Sequence, residues 1–387
     1  MKYTITGIDI GTEDIKVCVL ELDTKNQTKK VIGFFKYTAQ GLRKGYVTNE
    51  QSFKQTIAKI QEDLARNLGL RMETVALCIG SSSLESIILG QHGIITKADT
   101  EVTRFDIEAL EKTTDENIFN RSKKLLFSTI TEYKIDGKPI QGNPEGHRGV
   151  KLEIKKLYIQ VLKQQSEAIE NAFHENDIEV GLVYPKGICA STIGLTDKQK
   201  MVGVAYMDIG AETTVVVVYE NGSLIGYTSI PVGSNDITND IALGLKISLD
   251  EAEEVKHGTS NRIFPRKKLE DIIHSRLEDI SELTNTYLKK IKKNELLPGG
   301  IVLNGGGVEI ANIEDYFKQS LNLPVRKISV EISTLKKGIV RQTEYLDCYG
   351  IALEQTETEM QEKTKKSGLL IEKIKKNSSF FFKQFLP

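Results

Sequence analysis

What this 387-residue chain most plainly lacks is an excess of charge. Its 52 lysines and arginines face 53 aspartates and glutamates, a formal net charge of −1. That balance gives no global attraction to nucleic acid or to bulk membrane, so no nucleic-acid partner is expected. Histidine is scarce, at five residues, and no two fall in H-x-x-H spacing, which argues against a zinc site. The four cysteines, Cys18, Cys78, Cys189 and Cys348, are widely separated, and no C-x-x-C occurs. With no secretory signal pattern before Ile5, a reducing cytoplasm is the expected compartment. No apolar run reaches the roughly eighteen residues of a membrane span. What remains is an ordinary soluble composition, 39% hydrophobic and 27% charged. The length suits about two or three domains with substantial cores.

The chain is organised around Val202 to Tyr219, which reads as strand, tight turn, strand. Its flanks are apolar and β-branched, and its turn carries Asp208, Gly210, Thr213 and Thr214. Thr6 to Leu20 offers a second copy, with Asp9, Gly11 and Thr12 in the turn. Taken singly, an Asp-x-Gly turn is common hairpin chemistry. Two copies in like context, near the start and middle of the chain, suggest two similar lobes facing each other across a cleft. Backbone N–H groups of such turns can point at phosphate oxygens, and the glycine permits close approach. Asp9 and Asp208 are then expected to hold Mg²⁺, largely through its waters.

Between the hairpins, a helix is expected from about Gln51 to Leu68. Phe53, Ile57, Ile60 and Leu64 lie on one face, and Gly69 closes it. From Leu84 to Leu162 short strands surround a helix starting near Thr103, with a polar, turn-rich segment at Gly137 to Gly149. This stretch reads as a small inserted α+β subdomain. A helix over 164–176, a strand from Val180 to Tyr184 and a helix from Gly187 to Gly194 lead to the second hairpin.

Beyond it, Gly233 ends a strand and Asn235 or Asp236 can cap the next helix, whose free N-terminus would favour an anion. On a helix over 249–257, Glu253 and Lys256 share a face, either as a solvated salt bridge or lining a nucleoside pocket. The strand Ile301 to Asn304 runs into Gly305-Gly306-Gly307. Three glycines give up packing and chain entropy, which close approach of backbone to a flat ligand would justify.

This ordered set resembles the actin/heat-shock chaperone/sugar kinase ATP-binding fold, and the connecting text is similar to FtsA, the bacterial cell-division actin homologue. The likeness rests on Ile230-Pro231-Val232-Gly233, on Ile237-Thr238-Asn239-Asp240-Ile241-Ala242-Leu243-Gly244-Leu245 and on Glu251 to Lys256. Gly41-Leu42-Arg43-Lys44-Gly45, Gly149 to Glu153 and the position of Pro265-Arg266 add to it.

The resemblance implies an α/β, two-lobed actin-like ATPase fold with an inserted subdomain 1C and a C-terminal amphipathic helix. Subdomain 1A would cover residues 1–83 and 163–195, with 1C at 84–162. Subdomain 2A would cover 196–228 and, with a return to 1A, 299–353, and 2B would cover 229–298. Gly11, Thr12 and Lys16 would face ATP phosphates from the first lobe, with Gly210, Thr213 and Thr214 facing them from the second. Asp9 and Asp208 would serve the Mg²⁺, and Gly233 and Asn235 would lie near ribose and phosphate. Glu253, Lys256 and Gly305 to Gly307 would surround the adenosine.

Two departures stand out. The family's second phosphate turn is usually Asp-x-Gly-Gly-Gly-Thr, whereas Ala211 and Glu212 stand here. Glu13 and Asp14 likewise place acids in the first turn. No residue is marked as positioning an attacking water. ATP binding with weak or no hydrolysis is therefore the expectation.

The tail carries a separate indication. Residues 354–367 are polar and charged, with no apolar face, and read as a flexible linker. In residues 368–387 a helix would align Leu370, Ile371, Ile374, Ser378, Phe381, Phe382 and Phe385, with Lys373, Lys376 and Lys383 at its edges or opposite face. That is the pattern of a helix lying in a membrane interface, and the FtsA resemblance implies a membrane-targeting helix at this position. It also implies FtsZ as a partner, its C-terminal tail bound by 2B near Arg262 to Lys268. Self-assembly into head-to-tail protofilaments, anionic lipid, other division proteins and a place on the cytoplasmic face of the membrane at the division site follow from the same likeness. A PilM-type pilus-assembly scaffold and a metabolic kinase of the same superfamily are the alternatives.

Overall fold

A computed structural model describes residues 2–23, 28–96, 100–118, 120–334, 338–340 and 343–366. The first hairpin forms as read. β1 (Lys2–Ile10) pairs antiparallel with β2 (Asp14–Asp23), and β2 pairs with β3 (Thr28–Thr38). A two-residue hairpin, β4 (Leu42–Arg43) and β5 (Tyr46–Val47), leads to α1 (Glu50–Leu68). Asn49 caps α1 by accepting from Ser52 N–H, and Gly69 ends it in the left-handed region at φ 65°. Phe53, Ile57, Ile60 and Leu64 form its buried face. The chain then enters β6 (Thr74–Ile79), parallel to β1.

Residues 85–162 form a sheet of their own. β7 (Glu85–Ile94) is followed by α2 (Arg104–Glu116), β8 (Lys123–Ile135), β9 (Lys138–Ile140) and β10 (Lys151–Leu162), in sheet order β7-β10-β8-β9. Thr103 and Asp106 make a reciprocal capping box at the start of α2. Burial would raise the Asp106 carboxyl, but hydrogen bonds from Thr103 and Thr96 outweigh it and hold it at about 2.

α3 (Lys163–His174) returns the chain to β11 (Glu179–Pro185), which lies parallel to β6. α4 (Ile188–Gly194) and α5 (Asp197–Val202) then cross to the second lobe. There β12 (Val204–Ile209), β13 (Thr214–Glu220) and β14 (Ser223–Ile230) repeat the antiparallel meander. α6 (Ser234–Leu245), α7 (Leu249–Lys256) and the 25-residue α8 (Arg266–Lys290) follow. β15 (Ile301–Asn304), α9 (Ile313–Leu321) and β16 (Val325–Lys327) complete this sheet, with β15 parallel to β12. β17 (Ile332–Thr334) and β18 (Gly338–Val340) rejoin the first sheet before α10 (Leu346–Lys366).

The two lobes share one strand order. In the first it is β11-β6-β1-β2-β3, extended by β17-β18, and in the second it is β16-β15-β12-β13-β14. A meander with two parallel strands added beside its first strand occurs twice. The likeness of the two Asp-Ile-Gly hairpins thus extends to their whole surroundings.

Alternation along the central strands joins the lobes. Tyr206, Val215 and Val217 point into the core that contains Ile8, Val17 and Leu77 of the first lobe. Their neighbours Met207, Val216 and Val218 point into a second core with Ile241, Leu277 and Leu303. β12 and β13 are therefore buried on both faces, and their near-continuous Val/Ile/Met composition follows from that.

α10 lies across β1, where Gly7 leaves no room for a Cβ beneath the Cys348 carbonyl. The linker expected over residues 354–367 is corrected here, because the helix continues to Lys366. Glu354, Gln355 and Thr356 are buried. Leu182 N–H donates to the Gln355 side chain at 3.1 Å, and the Thr356 hydroxyl donates to Ala352 O at 2.7 Å. Glu, Gln and Lys are good helix formers, and here a polar face is packed rather than solvated. The interfacial helix over 368–387, with Ile371, Ile374, Phe381, Phe382 and Phe385, lies outside the described residues. Among those described, no helix is long and apolar enough to cross a membrane.

Candidate nucleotide cleft

The two hairpin turns close in the same way. Gly11 N–H donates to Asp14 O at 3.1 Å, and Gly210 N–H donates to Thr213 O at 2.9 Å. Asp9 and Asp208 stand next to last in their strands, just before these turns, and both are buried, at 2% and 3% exposure. Lys16 sits on β2 directly across from Asp9. The Thr12 hydroxyl accepts from Gly45 N–H at 3.2 Å. Thr214 is placed differently from a phosphate-facing group, since it is fully buried and its hydroxyl donates to Val232 O at 2.8 Å.

Two residues that the sequence reading did not single out complete the charged centre. Lys186 follows the last residue of β11, and its ammonium lies 3.4 Å from Asp9 Oδ2 and 3.9 Å from Asp208 Oδ1. Burial would lower the Lys186 pKa, but Asp9, Asp208 and Asp347 outweigh it and hold the amine charged above the ordinary lysine value. Asp347 opens α10, and its carboxylate accepts from Gly187 N–H at 3.0 and 3.1 Å and from Ala190 N–H at 3.0 Å, capping α4. Burial, then the charges of Asp9 and Asp208, raise the Asp347 carboxyl to about 7, against the opposing effect of Lys186. Asp208 Oδ2 is oriented by the Tyr206 hydroxyl at 3.2 Å and the Asn304 amide at 3.4 Å.

Magnesium fits this centre. Asp9 Oδ1 is buried and has no hydrogen-bond partner among the described residues, the condition a cation or its water shell would relieve. Asp9, Asp208 and Asp347 outnumber the Lys186 ammonium they surround, which leaves negative charge for a divalent ion to balance. Among the described residues no group of three ligating side chains is placed to hold a metal directly. When bound, the ion would neutralise phosphate charge.

Glu212, out of place in a phosphate turn, faces the opposite lobe. Its carboxylate accepts from Lys44 N–H at 2.5 Å and pairs with Arg43 Nε at 3.0 Å, while Lys44 Nζ donates to Pro231 O at 3.2 Å. The Gly41 to Gly45 loop thus bridges Thr12 of one turn and Glu212 of the other. The acid is matched by the first lobe.

The start of α6 is corrected from a free anion cradle. Ser234 N–H donates to Gly210 O at 2.9 Å and Asn235 N–H donates to Ala211 O at 2.8 Å. Gly233 is required there, because a Cβ would fall on the Ala211 carbonyl. These first N–H groups support the phosphate turn rather than face open space.

The Glu253–Lys256 pair is half solvated, with the Glu253 side chain 40% exposed and that of Lys256 only 2% exposed. Lys256 is buried and donates to Glu253 at 2.8 Å and to the Thr238 hydroxyl at 2.8 Å, locking α7 onto α6. Burial would raise the Glu253 carboxyl, and its hydrogen bonds from Lys256 and Thr238 hold it below the usual value.

The three glycines differ in their surroundings. Gly305, at φ 95°, and Gly307 both press against Ile209, whereas a Cβ on Gly306 would meet no atom within 4 Å. Gly306 is exposed, beside the end of β15 that pairs Asn304 with Asp208.

The model for the family of cell division protein FtsA matches residues 205–350, the stretch from the second hairpin to the start of α10. By sequence, the chain is FtsA-like. The FtsA of Pseudomonas aeruginosa is 26% identical over 344 residues, covering 83% of this chain and 82% of that protein. The FtsA of Bacillus subtilis is 24% identical over 370 residues, covering 89% and 82%. Among solved structures, the PilM–PilN type IV pilus biogenesis complex superposes with a TM-score of 0.65 at 16% identity, covering 90% of this chain and 97% of that one. The fold of this FtsA-like chain is that of the actin-like ATPases.

Proposed function

We propose that this chain is an ATP-binding, actin-like cell-division protein that tethers FtsZ filaments to the cytoplasmic face of the membrane at the division site. The observation that carries the reading is the convergence of the paired Asp9 and Asp208 turns on one cleft, in a chain whose sequence relatives are FtsA. Nucleotide would lie between Gly11, Thr12 and Lys16 on one side and Gly210 and Thr213 on the other, with Gly306 beside the adenosine. Mg²⁺ would be served by Asp9 and Asp208. Hydrolysis is expected to be weak or absent, because Ala211 and Glu212 stand where the family's second phosphate turn carries glycines.

The subdomain assignment is part of the same proposal. Residues 1–83 and 163–195 form 1A, 84–162 form 1C, and 196–228 with 299–353 form 2A and the return to 1A. Residues 229–298 form 2B. In this arrangement 2B receives the FtsZ C-terminal tail, 1C meets the next subunit of a protofilament, and residues 368–387 lie in the membrane interface. A pilus-assembly scaffold is the second reading, favoured by the likeness to PilM. The FtsA relatives and the Thr238 to Ala242 block favour the first.

Vesicle co-sedimentation tests the membrane half. Each large apolar side chain buried in the interface contributes about 1.5–3 kcal/mol, less the ordering of the helix, so binding is expected to be firm and reversible. The full chain should pellet with anionic vesicles, and a chain ending at Ser367 should stay in the supernatant. If both remain in solution, the tail is no anchor and the scaffold reading moves ahead.

A further inference from the structure

We propose that the Lys186 ammonium is a resident cation of the nucleotide cleft. It bridges Asp9 and Asp208 and offers its remaining donor to a phosphate oxygen, so that a nucleoside di- or triphosphate binds without a divalent metal. This rests on the nucleotide reading above and adds a tethered charge to it.

The geometry is specific. An ammonium has three N–H donors and no acceptor, and two aspartates lie within ion-pair distance of this one. Its side chain is 12% exposed, so it is not sealed in the core. The backbone beneath it is fixed on both sides. Lys186 N–H donates to Ile79 O at 2.9 Å, and Lys186 O accepts from the Tyr227 hydroxyl at 3.1 Å. Gly187, at φ 85°, makes the turn that follows, and a Cβ there would crowd Val215. The main chain at Lys186 is therefore fixed, and the two ion pairs hold the ammonium before any ligand arrives, with little ordering left to do on binding.

Charge balance gives the reason for a fixed cation. A polyphosphate entering between two buried carboxylates adds several negative charges to a site that already has two, and such a charge is tolerated in a low-dielectric cleft only when paired. Mg²⁺ does this while it is available. A lysine carried on the chain cannot be removed by a chelator, although one ammonium carries half the charge of the metal.

The test is titration of the full chain with a fluorescent ATP analogue, in excess Mg²⁺ or excess EDTA, for the wild type, Lys186→Met and Lys186→Gln. Chelation is expected to raise the wild-type Kd by less than about tenfold and that of either variant by more than about a hundredfold. A purely structural lysine would change thermal stability but leave this metal dependence alone.

A second measurement uses Mg²⁺ without nucleotide. The metal should raise the Tm of the variants more than that of the wild type, because it moves into the position the ammonium has left. Equal loss of affinity on chelation in wild type and variants would overturn the proposal. If the wild type binds no nucleotide even with Mg²⁺, the nucleotide reading itself fails. The thermal comparison then decides for Lys186 alone, and an equal Mg²⁺ shift in all three proteins overturns the resident cation.

Discussion

Gly306→Leu should leave the fold almost unchanged and remove most of the affinity for nucleotide. No atom lies within 4 Å of where its Cβ would stand, so the first carbon of the added side chain meets no protein. The glycine runs on from β15, whose Asn304 pairs in register with Asp208. A leucine here would occupy the space assigned to the adenosine. An obstruction of one side chain in a fitted pocket costs about 1–3 kcal/mol, or about 10–200-fold in affinity.

Its neighbours supply the control. At Gly305 and Gly307 a Cβ would press on Ile209, whose strand carries Asp208. Alanine at either position should destabilise the protein by about 1–3 kcal/mol through overpacking. Isothermal titration with Mg-ATP, together with thermal unfolding, separates the two effects. If Gly306→Leu binds as tightly as the wild type, the triple glycine is a packing device and the adenosine lies elsewhere.

Asp347→Ala should destabilise the protein by about 2–4 kcal/mol, from two buried N–H groups, those of Gly187 and Ala190, left without an acceptor. Asp347→Asn keeps an oxygen at the position of Oδ1, which accepts from both, and should cost less than about 1 kcal/mol. The two variants also differ from wild type in how stability responds to pH.

The Asp347 carboxyl sits near 7 in the folded chain and near the ordinary value of about 4 when unfolded. Between those limits the folded state binds the extra proton. The carboxyl therefore favours folding below about pH 4, and this contribution is lost as the pH rises through 7. Both variants lack the group and should lose this slope. Urea unfolding in EDTA, from pH 5 to pH 8, measures it. A wild-type profile as flat as that of Asp347→Asn would show that the carboxylate is relieved by partners other than those named here.

How much of this was legible in the sequence depends on whether a local pattern carried it. Asp9 and Asp208 could be found because each stands next to last in an apolar strand and is followed by Ile-Gly, a hairpin signature that needs no tertiary context. The pairing of the lobes followed from finding it twice. Lys186 and Asp347 belong to no motif. One follows a strand that lies beside β6 only after a long excursion through residues 85–162, and the other starts a helix after the chain has crossed back from the second lobe. The signal available for Lys186 was its place just beyond the carboxyl end of a parallel strand, where open α/β sheets gather their ligand groups.

The start of α6 was read with the right element but the wrong surroundings. Spacing shows which residues share a helix face, and it does not show that Gly210 and Ala211 carbonyls will lie against the helix start. The run from residue 354 misled for a related reason. Its charged residues are also good helix formers, and burial of Gln355 beside Leu182 is a tertiary fact.

The central claim is that this chain carries FtsZ filaments to the membrane, and the most direct measurement is recruitment of labelled FtsZ to a supported anionic bilayer. With ATP present, FtsZ polymers should accumulate on the bilayer only when the full chain is added. A chain ending at Ser367, or FtsZ without its C-terminal tail, should leave them in solution. If the full chain coats the bilayer and FtsZ still stays in solution, the protein is a membrane-bound actin-like protein with some other cargo, and the tethering account is wrong.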